Sequence, residues 1–162
     1  MNLAVTAPGW LAALLMLLLL LAAVEDAWRM RISNVTILAI LAGAVVAAML
    51  AGPTFALWQN LALFAGLLAL GTPLFALGKV GGGDVKLIAV SGAWFDLRGG
   101  LLMLICVLIA GGALALLILA LRTFDWSENV RRRIRLLKAS SGIPYGVAIA
   151  AGSMLATSCK WA

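Results

Sequence analysis

Four stretches of the chain carry no charge at all: residues 1–24, 32–78, 99–121 and 139–159. Crossing the hydrocarbon core takes a helix of about 20 apolar residues, so the first, third and fourth stretches each predict one crossing. The second is long enough for two, and Ala51-Gly52-Pro53-Thr54 interrupts it near its middle. Proline and glycine there end one helix and turn the chain, which places two crossings near residues 34–51 and 55–77. Between Asp84 and Phe95 lies a short apolar stretch, closed by the polar, glycine-rich Asp96-Leu97-Arg98-Gly99-Gly100, which reads as a turn. Twelve residues of helix rise only about 18 Å against a hydrocarbon thickness of ~30 Å. Such a segment is expected to start below the membrane surface in a protein-lined or watery recess, because irregular backbone is tolerated at depth only there. Helices near 101–121 and 143–159 complete the expected fold. It is an all-α membrane protein of six transmembrane helices in one domain, residues 1–162, with a short fourth helix after a Gly-rich loop and a basic cytoplasmic loop at about 122–142.

Composition agrees with the pattern. Hydrophobic residues make up 65% of the chain and charged residues 11%, where soluble domains carry roughly 25% charged residues. A chain so poor in charge cannot cover a water-facing surface. The first apolar stretch has no positive charge before it and no clean small-residue cleavage site after it, so it is expected to stay as an anchor with its N-terminus outside. With six crossings the inner loops then hold Arg29, Arg31, Lys79, Lys86, Arg122, Arg131, Arg132, Arg133, Arg135 and Lys138, and the outer side holds Arg98 and Lys160. That one-sidedness follows the positive-inside rule and supports the helix count. It also accounts for the net charge of +6 without nucleic acid, for which no motif is present. The basic segment 131–138, with Trp126 before it and Leu136 and Leu137 within it, suits anionic lipid headgroups.

The chain has no histidine, which removes Ser-His-Asp and Cys-His nucleophile systems, the HExxH zinc site and most other metal sites. Cys106 and Cys159 form no CxxC, so they read as packing residues rather than a disulfide framework or zinc site. Hydrolytic chemistry would have to rest on carboxylates or on a Ser/Lys pair, for which Ser91 and Lys86, five residues apart, are badly matched on a helix face. Of the six acids, Glu25, Asp96, Asp125 and Glu128 lie next to bases or in loops, where solvated or structural duty is the ordinary expectation. Asp26 ends the first crossing and Asp84 begins the short fourth one, so alternating topology puts both at the cytoplasmic face. Acids at membrane depth are costly and by default functional. The glycines before Asp84 let the backbone turn sharply and approach another extended chain, though a hinge with an N-capping aspartate reads the same way.

The segments Asp26-Ala27-Trp28-Arg29-Met30-Arg31-Ile32-Ser33-Asn34 and Gly81-Gly82-Gly83-Asp84-Val85-Lys86-Leu87 resemble the paired aspartate motifs of the type IV prepilin peptidases, a GxGD aspartic membrane protease family. Ile143-Pro144-Tyr145-Gly146 resembles a third family segment. The resemblance implies a membrane aspartic endopeptidase that cleaves the leader from prepilins and pseudopilins at the cytoplasmic face of the bacterial inner membrane. Asp26 and Asp84 would be its catalytic pair; Gly81, Gly82, Gly83, Lys86, Pro144 and Tyr145 would serve substrate binding or loop geometry. No metal and no cofactor are expected. Larger family members carry an inserted cytoplasmic region with paired CxxC motifs and methylate the new N-terminus. This chain has no such insert between its first two helices, so methyltransferase activity is not expected and the short form is similar to the peptidases of Flp-type tight-adherence systems.

The helix dipole favours charge on Asp84, at a helix start, over Asp26, at a helix end, which makes Asp84 the expected resting base. Lys86 is read as a snorkelling side chain or as a contact for an acid on the substrate. The rival classes are a small transporter, with the two acids carrying protons or cations, and a non-enzymatic pilus-assembly factor.

Overall fold

The computed structural model describes residues 1–123 and 144–159. The described residues are helical without a strand: α1 Leu3–Thr6, α2 Gly9–Arg29, α3 Asn34–Ala51, a 3₁₀ turn Phe55–Leu57, α4 Trp58–Ala76, α5 Gly82–Gly92, α6 Leu97–Thr123 and α7 Tyr145–Ser158. By length and composition α2, α3, α6 and the segment Phe55–Ala76 could each cross a membrane, while α5 and α7 are shorter, at 11 and 14 residues. Most of the basic loop expected at 122–142, together with Asp125, Glu128, Ile143 and Lys160, lies outside the described residues.

The first apolar stretch supplies one span, α2, which Pro8, lacking an N–H and fixed in φ, separates from the short α1. Two sequence expectations need correction. Asp96–Gly100 is not a turn but the start of α6: Asp96 Oδ1 accepts the Gly99 N–H at 2.8 Å, a helix-capping bond that recruits the following glycines into the first turn. Nor are the glycines before Asp84 chiefly a loop. Gly81 is the N-cap of α5, and Gly82 and Gly83 are already helical.

Burial explains the arrangement. Along α2 the buried positions are Leu11, Leu15, Leu19, Ala22 and Asp26, an i, i+4 / i, i+3 stripe that ends on the carboxylate. α5 is enclosed on several sides by Val85, Leu87, Ala89, Val90, Ser91 and Gly92 and lies against α3, α4 and α7. α4 by contrast buries only Asn60 and holds to the bundle mainly through α5. Large apolar side chains cover the outside: Leu17, Leu38, Leu61, Leu101 and Leu116 are each at least 60% exposed, a surface that requires lipid rather than water.

Glycines set the tight crossings. A Cβ at Gly152 of α7 would lie 2.5 Å from the backbone nitrogen of Val107 in α6, and one at Gly71 of α4 would lie 2.5 Å from Val85 Cγ1 in α5. Gly92 of α5 faces Leu67 and Leu63 of α4. This antiparallel register puts Asp84 level with Thr72, four residues before the end of α4 at Ala76 and so about 6 Å beneath it. Asp84, in the first turn of the short helix, is therefore recessed by about one turn relative to the end of α4. At the opposite end, Asn60 Nδ2 donates to the carbonyls of Met1 (2.9 Å) and Ala93 (3.1 Å), tying the α1, α4 and α5 ends together.

Candidate active site

Three helix ends meet at the start of α5. α2 stops at Met30, whose left-handed backbone (φ 55°) turns the chain, and Ser33 caps α3 by accepting the Val35 N–H. Glu25 stiffens this turn: its Oε2 accepts the Ser33 N–H at 2.9 Å and the Thr36 hydroxyl at 3.0 Å. Of the solvated or structural duty expected from sequence, Glu25 thus has the structural one, joining α2 to α3 one residue before Asp26.

Asp26 is 6% exposed and reaches α7, where its Oδ2 accepts the Gly146 N–H at 2.7 Å. The bond depends on glycine, since a Cβ at position 146 would lie 2.8–2.9 Å from Asp26 Oδ2, Cβ and Cγ. Gly146 was visible in the Pro144-Tyr145-Gly146 segment but was not singled out; the signal was a glycine in a helix's first turn, where propensity alone disfavours it. Pro144 caps α7, its fixed φ suiting a helix entry.

Asp84 stands in the first turn of α5, half-buried. Its Oδ2 lies over Gly81, where a Cβ would come within 2.8 Å. Gly81 therefore leaves room for the carboxylate itself. Gly82 lies beside the Phe75 ring, and Gly83 rests on Ile32, with its Cβ site 3.5 Å from Ile32 Cβ and 3.6 Å from the Ile32 nitrogen. Lys86 Nζ donates to Asn34 Oδ1 at 3.1 Å. The two aspartate segments are thus joined side by side, Gly83 to Ile32 and Lys86 to Asn34, with the carboxylates at the same end of the bundle. Lys86 has a partner within the chain that neither sequence reading named.

The dipole argument for telling the acids apart does not survive this geometry. Asp26 ends α2, but it also receives the N-terminus of α7, so each carboxylate faces a helix start.

A cleft of about 410 Å³ opens beside Asp84, walled by Leu70, Gly71 and Leu74 of α4, Val85 and Ile88 of α5, Val107 and Leu108 of α6, and Tyr145 and Ile149 of α7. Lys79 and Val80 edge it. Leu70 and Leu108 are 72% and 75% exposed, so the cleft is open on the bundle's apolar outer side. Asp26 is not in its lining, and entry along the cleft meets Asp84 first. Among the described residues no group of three or more His, Cys, Asp or Glu is gathered as a metal site would need.

A family model described as the type IV leader peptidase family matches residues 13–116. The matched span includes both aspartates and ends before α7. No curated protein and no solved structure matches the chain.

Proposed function

The chain belongs to the type IV leader peptidase family, and from that membership we propose that it is an aspartic endopeptidase whose working pair is Asp26 and Asp84. Its substrates are prepilins and pseudopilins of the Flp type, cut at the cytoplasmic face of the inner membrane. The observation that supports this reading is the side-by-side packing of the two aspartate-bearing segments, Gly83 on Ile32 and Lys86 on Asn34, at one end of the bundle, with Asp84 beside an apolar cleft.

In the reaction, an ionised carboxylate takes a proton from water as its oxygen attacks the scissile carbonyl carbon. The neutral partner donates to the carbonyl oxygen, and as the C–N bond breaks the leaving nitrogen takes up a proton. Two neighbouring acids that resist double ionisation share one proton and suit this division of labour. The cleft supplies the second requirement. Its apolar walls accept a helix-forming substrate segment arriving from the bilayer, while the leader end unwinds near the start of α5.

The chain crosses the membrane six times on this reading, α5 and α7 being the two short crossings, as a single domain with both termini periplasmic. The family's methylation step is not part of its activity. Replacement of Asp26 or Asp84 by Asn is expected to lower cleavage of a co-expressed prepilin by at least about 10²-fold while membrane insertion stays normal. Mass analysis of the pilin N-terminus reads the cut and the absence of an added methyl group; cleavage by either variant at the normal rate refutes the dyad.

A further inference from the structure

The far end of α5 is held more firmly than the end that carries Asp84. Trp94, two residues beyond the helix, is 1% exposed and the largest fully buried side chain among the described residues. Its indole N–H donates to the carbonyl of Ile40, in the middle of α3, at 3.1 Å. Gly43, one turn further along α3, makes the notch that admits the ring: a Cβ there would lie 2.8 Å from Trp94 Cζ2. The Trp94 carbonyl accepts the Ala4 N–H of α1 at 3.0 Å, and the adjacent Ala93 carbonyl accepts from Asn60 of α4. One end of the short helix is therefore fastened to three other elements at once.

α3 and α5 run in the same direction, and the contacts between the two segments climb in order: Gly83 on Ile32, Lys86 on Asn34, then Trp94 on Ile40 and Gly43. The two lower contacts constrain α5 weakly, since Gly83 meets Ile32 at ordinary contact distance and the Lys86–Asn34 bond is exposed. The upper one is a fitted ring with a buried hydrogen bond, and separating such partners leaves each without a substitute. Asp84 and Trp94 are ten residues apart, about 15 Å of helix. A rod that short carries an axial shift at one end to the other.

Resting on the peptidase reading, we infer that Trp94 is a positioning residue: seated in the Gly43 notch, its indole sets the depth of α5 along α3 and so the height at which Asp84 stands beside the segment that carries Asp26. Trp94 does not line the cleft next to Asp84, so it acts on the carboxylate and not on the substrate. Displacing α5 therefore slows the chemical step, because a reacting group misplaced by about 1 Å can cost about 10²-fold. Substrate binding changes little, since α4, α6 and α7 supply most of the cleft's walls.

The register can be measured without any activity. In the full chain freed of Cys106 and Cys159, the pair I32C and G83C places its Cβ atoms 3.5 Å apart, within reach of a disulfide, so its rate of oxidation in isolated membranes reads where α5 lies at the Asp84 end. Gly43→Ala pushes the indole from its notch, and Trp94→Phe removes the N–H donor and shortens the ring. Each is expected to slow the cross-link severalfold, and the two together to recover most of the loss, because the methyl group fills the room the smaller ring gives up. In a chain without the cysteine pair, each single change should lower kcat for a purified prepilin roughly tenfold with KM within about twofold, and the double change should again recover. The inference is overturned if the cysteine pair does not oxidise, if its rate is unmoved in folded single variants, or if cleavage falls only with the amount of folded protein. A raised KM at unchanged kcat overturns it too, since the effect would then lie on substrate binding. If the unaltered enzyme cleaves no precursor while the cross-link still responds to Trp94, the peptidase reading fails and the hold of Trp94 on the depth of Asp84 stands.

Discussion

Glycines at this site make room for particular neighbours, and that makes their replacement informative. At Gly146 a methyl group would press on Cβ, Cγ and Oδ2 of Asp26. Because one of those contacts is at Cβ, rotating the carboxylate cannot relieve them all. Gly146→Ala is expected to reduce cleavage by about 10²-fold, comparable to losing one catalytic proton-transfer group. A normal membrane level of the variant, alongside its pilin processing, would confirm that the loss is local. Gly83 differs. Its neighbour is Ile32 at ordinary contact distance, so Gly83→Ala should retain activity and Gly83→Leu should lose it. If the loss arises from internal packing, Ile32→Ala should restore part of the activity of the Gly83→Leu enzyme; if close approach of substrate backbone were the cause, the second change would restore nothing. Asp26 and Asp84 were legible from sequence as rare acids at membrane-helix ends. The tasks of Gly81 and Gly146 were not, because they depend on where a distant carboxylate comes to lie.

At the scale of elements, α2, α3 and α5 are registered by a few polar contacts around the α2–α3 turn. Glu25 accepts from two donors there, so Glu25→Ala leaves the Ser33 N–H and Thr36 hydroxyl without it. A cost of about 1–3 kcal/mol is expected, read as a lower melting temperature in detergent, with Glu25→Gln much milder because an acceptor oxygen remains. Lys86 and Asn34 form a single exposed hydrogen bond, and a double-mutant cycle on Lys86→Ala and Asn34→Ala should return a coupling of about 0.5–1 kcal/mol. Zero coupling would mean that, at this end, the two segments are registered by Gly83 and Ile32 alone. The C-terminal end of the 34–51 helix was readable, since Gly52-Pro53 follows it, whereas the Ser33 cap at its start is seen only in the structure. The start of α6 was misread because Gly-Gly signals a turn locally, whereas the Asp96 cap and the packing of Gly100 against Leu63 favour helix.

For the whole molecule, α6 and α7 form the closest pairing, and Gly152 is at its centre. A side chain there meets the backbone of Val107, which cannot rotate away, so Gly152→Leu should abolish accumulation of folded protein in the membrane. Gly152→Ala should lower the melting temperature by an amount corresponding to about 1–3 kcal/mol. The six-crossing arrangement has its own check. In a chain freed of Cys106 and Cys159, a cysteine at Arg98 should react with an impermeant reagent from outside, and one at Arg31 only after the membrane is opened.

Hydropathy by itself determined that this chain lives in a bilayer and where most of its helices run, because desolvation of the backbone and side chains acts locally, residue by residue. The rarity of acids likewise marked Asp26 and Asp84 before any folding was known. Only the tertiary structure decided that α7 supplies the amide held by Asp26, that Asp84 lies about one turn beneath the end of α4, and that Lys79 rather than Lys86 edges the cleft. Those facts depend on helices docking across distances of up to 120 residues in sequence, and a residue's own neighbours in the chain carry no record of that docking.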